Sequence, residues 1–404
     1  MSCASPHSLN TRLIASHVDG KTARQTPAPA VQRGSTILLA SARDIYDTSQ
    51  QTYGRGGLTT HVLLRDMLAK LENADDVTLY PSGLAAITGA VLALTSAGDE
   101  VLAVDTIYGP TRRFFEGMLR RFGVTTRYFA PHATADDIAR LITANTRLIF
   151  LESPGSLTFE IQDVPAIAAM ARKAGVLTVI DNSYAAGVLF KPLDHGVDVS
   201  VQALTKYVCG HSDVFMGMAA AKGPAAALLK TAYREVGWMV SPDDAYTAIR
   251  GLRTLCTRMT QHAASALTVA NWMKSQPQVR TVLCPALPDD PNHHIWARDF
   301  SGINGLIGFE FHPEYSDQVE TFLNSLKVFG LGYSWGGFES LAINANPQLK
   351  QRVCREGGET GPLIRLHMGL ENVDDLIADL TGAFDSLGVN AESPRTDLQH
   401  ANAV

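Results

Sequence analysis

Between residues 77 and 205, short runs rich in Val, Ile, Leu, Thr and aromatics recur: VTLY (77–80), EVLAVD (100–105), TTRYFAP (125–131), RLIFLESP (147–154), VLTVIDN (176–182) and DVSVQALT (198–205). Most are separated by stretches with helical spacing of apolar residues, such as ADDIARLITAN (135–145) and VPAIAAMARKAG (164–175). Near-continuous apolar runs mark strands buried on both faces, and the helices between them supply the crossovers that parallel strands require. The alternation therefore predicts an α/β chain whose large domain is a mainly parallel sheet covered by helices.

The flanking segments read differently. Residues 1–57 are polar, rich in Thr, Ser, Pro and Gly, with one short apolar run at 36–42, so they predict an arm that needs a surface to lie on. TTHVLLRDMLAKLENA (59–74) predicts a helix ahead of the first strand, and 224–280 reads as mostly helical. A second strand-helix region follows: GLIGFEF (305–311), a helix near 316–328, LIRLHMG (363–369) and a last helix in ENVDDLIADLTGAFDSL (371–387). The expected division is an arm at 1–57, a large domain at 58–253 and a smaller α/β domain at 254–404, with a loose tail from Asn390.

Composition narrows the partners. The chain has 404 residues, 46% of them hydrophobic and 18% charged, with a net charge of -6, so it lacks the basic field that nucleic acid or an anionic membrane would need. Its five cysteines, scattered and without a C-x-x-C pair, indicate neither a disulfide framework nor a zinc site and suit a reducing cytoplasm. No signal peptide is read at the N-terminus, and no run of about 18 apolar residues predicts a membrane span. A small-molecule partner is expected.

In open α/β sheets, ligands sit beyond the carboxyl ends of the strands, so polar residues that close strand-like runs are the candidates. VTLYPSGLAAITGAV (77–91) is a strand, a Ser82-Gly83 turn and an apolar helix; its free N–H groups could hold a phosphate, or it could be a plain strand-to-helix turn. VLTVIDN ends on Asp181, a carboxylate that is costly to bury without a cationic partner. DVSVQALTK ends on Thr205 and Lys206; taken alone, that lysine could equally be a surface residue after a strand. Together an anion cradle, a buried carboxylate and a lysine are the set that a pyridoxal phosphate site requires. The lysine would join the aldehyde and serve as nucleophile and base, and the carboxylate would keep the pyridine nitrogen protonated.

Six co-linear stretches then resemble the Cys/Met-metabolism family of pyridoxal-phosphate enzymes: YGRGGLTTH (53–61), PSGLAA (81–86), DTIYGPTR (105–112), VIDNSYAAGVLFKPLDHGVDVSVQALTKYVCGHSD (179–213), YSWGGFESL (333–341) and LIRLHMGLENVDDLI (363–377). The resemblance covers nearly the whole chain. It implies the type I fold of pyridoxal-phosphate-dependent transferases. It also implies that Lys206 holds the cofactor and shuttles protons, Asp181 pairs with the pyridine nitrogen and Tyr108 stacks on the ring. Ser82, Gly83, Leu84 and Thr205 would bind phosphate, joined by Tyr53 and Arg55 from a neighbouring subunit. Arg365 would clamp the substrate α-carboxylate, helped by Ser334, with Trp335 and Tyr53 lining the pocket. A shared site makes a dimer the minimum active unit, and the family implies a homotetramer, a dimer of dimers.

Within that family, Trp335 in Ser334-Trp335-Gly336-Gly337 and the Gly57-Leu58-Thr59 sequence look like the bacterial enzymes that split cystathionine by α,β-elimination, with γ-cleaving and γ-synthesising members as the alternative. Two departures from the family pattern stand out: Ala203, where many relatives have serine, and ESPGSLT (152–158), which lacks the asparagine of the E-x-P-x-N-P motif.

Gly332-Tyr333-Ser334-Trp335-Gly336 also matches the G-x-S-x-G elbow of serine hydrolases, but four glycines crowd FGLGYSWGGFESL, and only His367 and His400 follow. A non-catalytic binding protein on the same fold would be marked by loss of Lys206, Asp181 or Arg365, and all three are present. Adjacent His293 and His294 read as loop residues rather than metal ligands, and His211 as a structural residue of the lysine loop.

Overall fold

The computed structural model describes residues 7–15, 26–47, 49–354 and 361–387. Cys3, the expected tail from Asn390 and His400 lie outside the described residues. In the arm, α1 (Leu9–Ile14) is a short helix absent from the sequence expectation; its Leu13 is fully buried against α2 (Thr59–Glu72). Residues 26–47 and 49–57 run largely exposed, tied down by Arg33 on Asp243 and by the Arg253 guanidinium donating to the Pro27 carbonyl. α2 forms because Leu63, Leu64, Met67, Leu68 and Leu71 fall on one face, and it stops at Asn73, whose φ of 55° is the left-handed conformation of a helix C-cap.

A seven-stranded sheet follows, made of β1 (Asp76–Tyr80), β2 (Glu100–Val104), β3 (Thr125–Phe129), β4 (Thr146–Glu152), β5 (Leu177–Asp181), β6 (Val199–Ala203) and β7 (Gly217–Ala221). Its order is β1-β7-β6-β5-β4-β2-β3. All neighbours are parallel except β7, which runs antiparallel to both β1 and β6. The six expected strands all form. β7 had no signal because GMAAA (217–221) carries neither β-branched nor aromatic residues; small side chains are needed there, since a Cβ at Gly217 would collide with the Ser82 carbonyl. The helices between strands are α3 (Gly83–Leu94), α4 (Gly109–Phe114), α5 (Ala135–Leu141) and α6 (Val164–Ala174), followed after β7 by α7 (Pro224–Val236). Gly175, at φ 70°, closes α6, and Asp163 caps its start by accepting from the Ala166 N–H.

α8 (Pro242–Met273) is a single 32-residue helix that leaves one hydrophobic core and enters another. Leu252, Leu255 and Met259 pack with the large sheet, whereas Ala266, Val269 and Met273 pack with the second. The helix thus contributes to both cores. The second sheet has the order β10-β11-β12-β9-β8, formed by β8 (Val279–Leu283), β9 (Leu306–Phe311), β10 (Gly330–Leu331), β11 (Leu341–Asn344) and β12 (Leu363–His367). α9 (His293–Asp299) and α10 (Val319–Ser325) lie among these strands, with α11 (Asn346–Leu349) before β12 and α12 (Val373–Asp385) after it. His293 and His294 are corrected here from loop to helix: they open α9, where the His293 ring lies 5.3 Å from Trp296. Among the described residues, no His, Cys, Asp and Glu cluster could hold a metal, and no helix is long and apolar enough to cross a membrane.

Candidate active site

Asp181, Ala203 and Glu152 close the adjacent strands β5, β6 and β4, so the parallel register delivers their side chains to one edge of the sheet. Past Ala203 the chain turns, and Lys206 stands three residues beyond the strand rather than at its end. Its Nζ donates to Ser334 Oγ at 2.8 Å and lies 5.2 Å from the Trp335 ring. Burial and the nearby Arg365 charge pull the Lys206 ammonium down to about 8, with Asp181 and Glu339 opposing. Lowered that far, the amine is still mostly protonated at neutral pH but has a far larger neutral fraction than an ordinary lysine, and the neutral form is the nucleophile and base.

Asp181 is buried and accepts the Ser183 N–H on Oδ1 at 3.0 Å. Burial raises its pKa above the ordinary carboxylate value, and the Ser183 hydrogen bonds and the Lys206 charge only partly offset that. A cationic partner on this carboxylate would relieve the desolvation. Tyr108 sits at the start of α4 with its N–H on Glu152 Oε2 at 2.7 Å. Burial, then the Asp181 and Glu152 charges, raise its phenol, although 42% of the residue faces solvent.

Ser82 caps α3, its Oγ accepting from the Ala85 N–H at 3.1 Å. That leaves the N–H groups of Gly83 and Leu84 without a partner among the described residues. Gly83 is required because a Cβ would collide with Ala203 Cβ, and this contact brings the helix start against the strand end that leads to Lys206. Ala203 itself offers no side-chain donor; its N–H bonds to Ser183 Oγ at 2.8 Å. The Thr205 hydroxyl is already engaged, donating to the Met216 carbonyl at 3.1 Å and accepting the Met216 N–H at 3.0 Å.

From the second sheet, β12 contributes Arg365, buried, with Nη1 on the Tyr333 carbonyl and Nη2 on the carbonyls of Gly332, Tyr333 and Ser334 at 3.0–3.3 Å. Its Nε is buried and has no partner among the described residues. Burial lowers Arg365 to about 10, which leaves it cationic at neutral pH. Lys206, Asp181, Ser334, Trp335, Arg365 and Tyr108 thus converge, joined by contacts or by mutual electrostatic influence.

Tyr53 and Arg55 do not join them. Tyr53 is 54% exposed, and Arg55 Nη1 donates to the Arg234 carbonyl at the end of α7.

Glu152 and Ser183 were not singled out from sequence; Glu152 carries the same signal as Asp181, a carboxylate closing a buried strand. The serine-hydrolase reading is excluded by local structure. β10, ahead of Ser334, is two exposed residues, no helix follows, and Ser334 Oγ contacts an amine rather than an imidazole. His211 turns to the Cys209 carbonyl at 2.7 Å, in keeping with a structural role.

Comparison with known proteins places the whole chain rather than its individual site residues. The family model described as Cys/Met metabolism PLP-dependent enzyme matches residues 10–385. A putative cystathionine beta-lyase of Rhizobium johnstonii is 45% identical over 88% of this chain and 90% of its own. The cystathionine beta-lyase of Haemophilus influenzae is 40% identical over 94% and 99%. The crystal structure of cystathionine gamma-lyase from Lactobacillus plantarum complexed with L-serine superposes with a TM-score of 0.87 at 30% identity, covering 94% of this chain and 99% of that one.

Proposed function

Because the chain belongs to the Cys/Met metabolism PLP-dependent enzyme family, we propose that it is a carbon-sulfur lyase that converts L-cystathionine and water to L-homocysteine, pyruvate and ammonia. The observation that carries this reading is the Lys206–Ser334–Arg365 assembly, a buried amine with a lowered pKa beside a carboxylate-matching cation. Trp335 against it and the β-lyase relatives favour β- over γ-cleavage.

The residues present fit pyridoxal phosphate: among the described residues, two N–H groups at the start of α3 have no partner and suit its phosphate, and the buried Asp181 has no cationic partner in direct contact. Lys206 Nζ would hold it covalently, Asp181 would pair with its ring nitrogen, Tyr108 would face the ring, and Ser82, Gly83 and Leu84 would take the phosphate. Thr205 would reach the phosphate only by releasing the Met216 carbonyl. When bound, the group supplies an electron sink for negative charge developed at the substrate Cα. Arg365 would orient the substrate through its α-carboxylate, using the free Nε. Lys206 Nζ, displaced by substrate and neutral, would take the Cα proton and hold it while the Cβ–S bond breaks.

Tyr53 and Arg55 are proposed to complete the phosphate site of a second copy, so the active unit is at least a dimer, and we propose a homotetramer working in the cytoplasm. Arg55→Ala should then weaken cofactor retention about tenfold or more in equilibrium dialysis, a rough figure for one charge-assisted contact; unchanged retention would refute the shared site. Uptake of pyridoxal phosphate by the apoprotein should accelerate as pH rises through about 8, because Lys206 attacks only after losing its proton. A stopped-flow rate that is flat from pH 6 to 10 would remove that role for the shifted amine. Steady-state kinetics on L-cystathionine with product identification tests the reaction itself: pyruvate with homocysteine is expected, and 2-oxobutyrate with cysteine would make the enzyme a γ-lyase.

A further inference from the structure

His367 follows Arg365 by two positions on β12 and is fully buried, yet no part of the reaction uses it. Both ring nitrogens are committed. Nδ1 donates to the Glu339 carbonyl at 3.1 Å, and Nε2 accepts the Gly336 N–H at 3.0 Å, which fixes the neutral Nδ1–H tautomer. Burial, with His262, Arg365 and Lys206 around the ring, keeps the imidazole uncharged. The segment it grips is held against the catalytic lysine. Gly336 has φ 83°, and a Cβ there would lie 2.8 Å from the Tyr207 nitrogen and 3.0 Å from the Lys206 carbonyl carbon. The Trp335 ring packs 5.5 Å from Tyr207, which in turn packs 5.9 Å from His367 itself.

The same segment is also held by Arg365, whose Nη2 binds the carbonyls of Gly332, Tyr333 and Ser334. A carboxylate that takes the guanidinium by its Nε edge uses the orphan Nε–H and a proton of Nη2. Substrate binding therefore draws on the group that tethers residues 332–334, and the Gly336 tether to His367 remains. We propose that His367 is a positioning residue that holds Trp335 and Gly336 over Lys206 while Arg365 engages the substrate carboxylate. This rests on the lyase reading above, in which Arg365 binds that carboxylate.

The two hydrogen bonds can be separated by substitution. A glutamine at 367 places an oxygen where Nε2 stands and keeps the acceptor for Gly336, whereas an asparagine matches Nδ1 and leaves that N–H unpaired. Purified holoenzymes are compared on L-cystathionine, with cofactor content and absorbance spectrum recorded alongside. His367→Asn should raise KM about tenfold, equivalent to ~1.4 kcal/mol, with kcat within about threefold and the cofactor spectrum unchanged. His367→Gln should stay within about threefold of the wild-type KM. Equal increases in KM for both variants, no increase in either, or loss of cofactor from His367→Asn would overturn the assignment and leave His367 a core residue. Failure of the wild-type holoenzyme to split cystathionine would instead refute the lyase reading, so the two failures are distinguishable.

Discussion

Lys206→Ala is expected to lower kcat on cystathionine by at least about 10³-fold, the scale of a lost nucleophile and proton carrier. No neighbour can take over. Arg365 stays protonated at working pH, His367 has both nitrogens committed, and Ser334 Oγ contacts the lysine itself. The variant should nevertheless fold, because removing a largely buried ammonium removes a desolvation cost and leaves only the Ser334 hydroxyl without its donor. Pyruvate formation and a thermal melt on the same preparation make the check. A near-normal rate would falsify the assignment of Lys206, and a fallen melting temperature would show that the lysine is a structural group.

Arg365→Ala is expected to reduce kcat/KM by about 10²–10³-fold, the range for truncating one partner of a buried, hydrogen-bonded charge pair. The loss has two parts. The substrate carboxylate loses the planar fork proposed to bind it, and residues 332–334 lose the donors that bind their carbonyls. Arg365→Lys should recover little, since an ammonium cannot present two parallel N–H groups to a carboxylate while also reaching those carbonyls. If Arg365→Lys matched the wild type, a point charge would suffice and the planar fork would have no role. Kinetics at saturating cofactor separate this effect from any change in cofactor affinity.

Much of the large sheet was legible because its signal is local: β2, β4, β5 and β6 are rich in buried Val, Ile and Leu, whereas β3, TTRYF at the sheet edge, is largely exposed and was legible from its Thr and aromatic residues. β7 was illegible because its alanines and glycine answer to a neighbour, the Ser82–Gly83 turn, and not to strand propensity. The loop expected at His293 and His294 is a helix because Asn292 accepts the Ile295 and Trp296 N–H groups on its carbonyl.

The candidate site divides in the same way. The chemical types of Lys206, Asp181 and Arg365, each at the end of or within a strand-like run, were readable along the chain. Their meeting was not, since Arg365 lies on a separate sheet and reaches Lys206 only through the carbonyls of residues 332–334 and the Ser334 hydroxyl. The sequence by itself determined the alternation of elements, the strand-end carboxylate and the lysine after β6, because periodicity and residue chemistry are properties of neighbours in the chain. Only the tertiary structure decided that Lys206 loses its proton more readily than an ordinary lysine, that Thr205 faces Met216, and that His367 grips Gly336. Burial, charge separation and hydrogen-bond direction arise between segments far apart in sequence, and no local pattern encodes them.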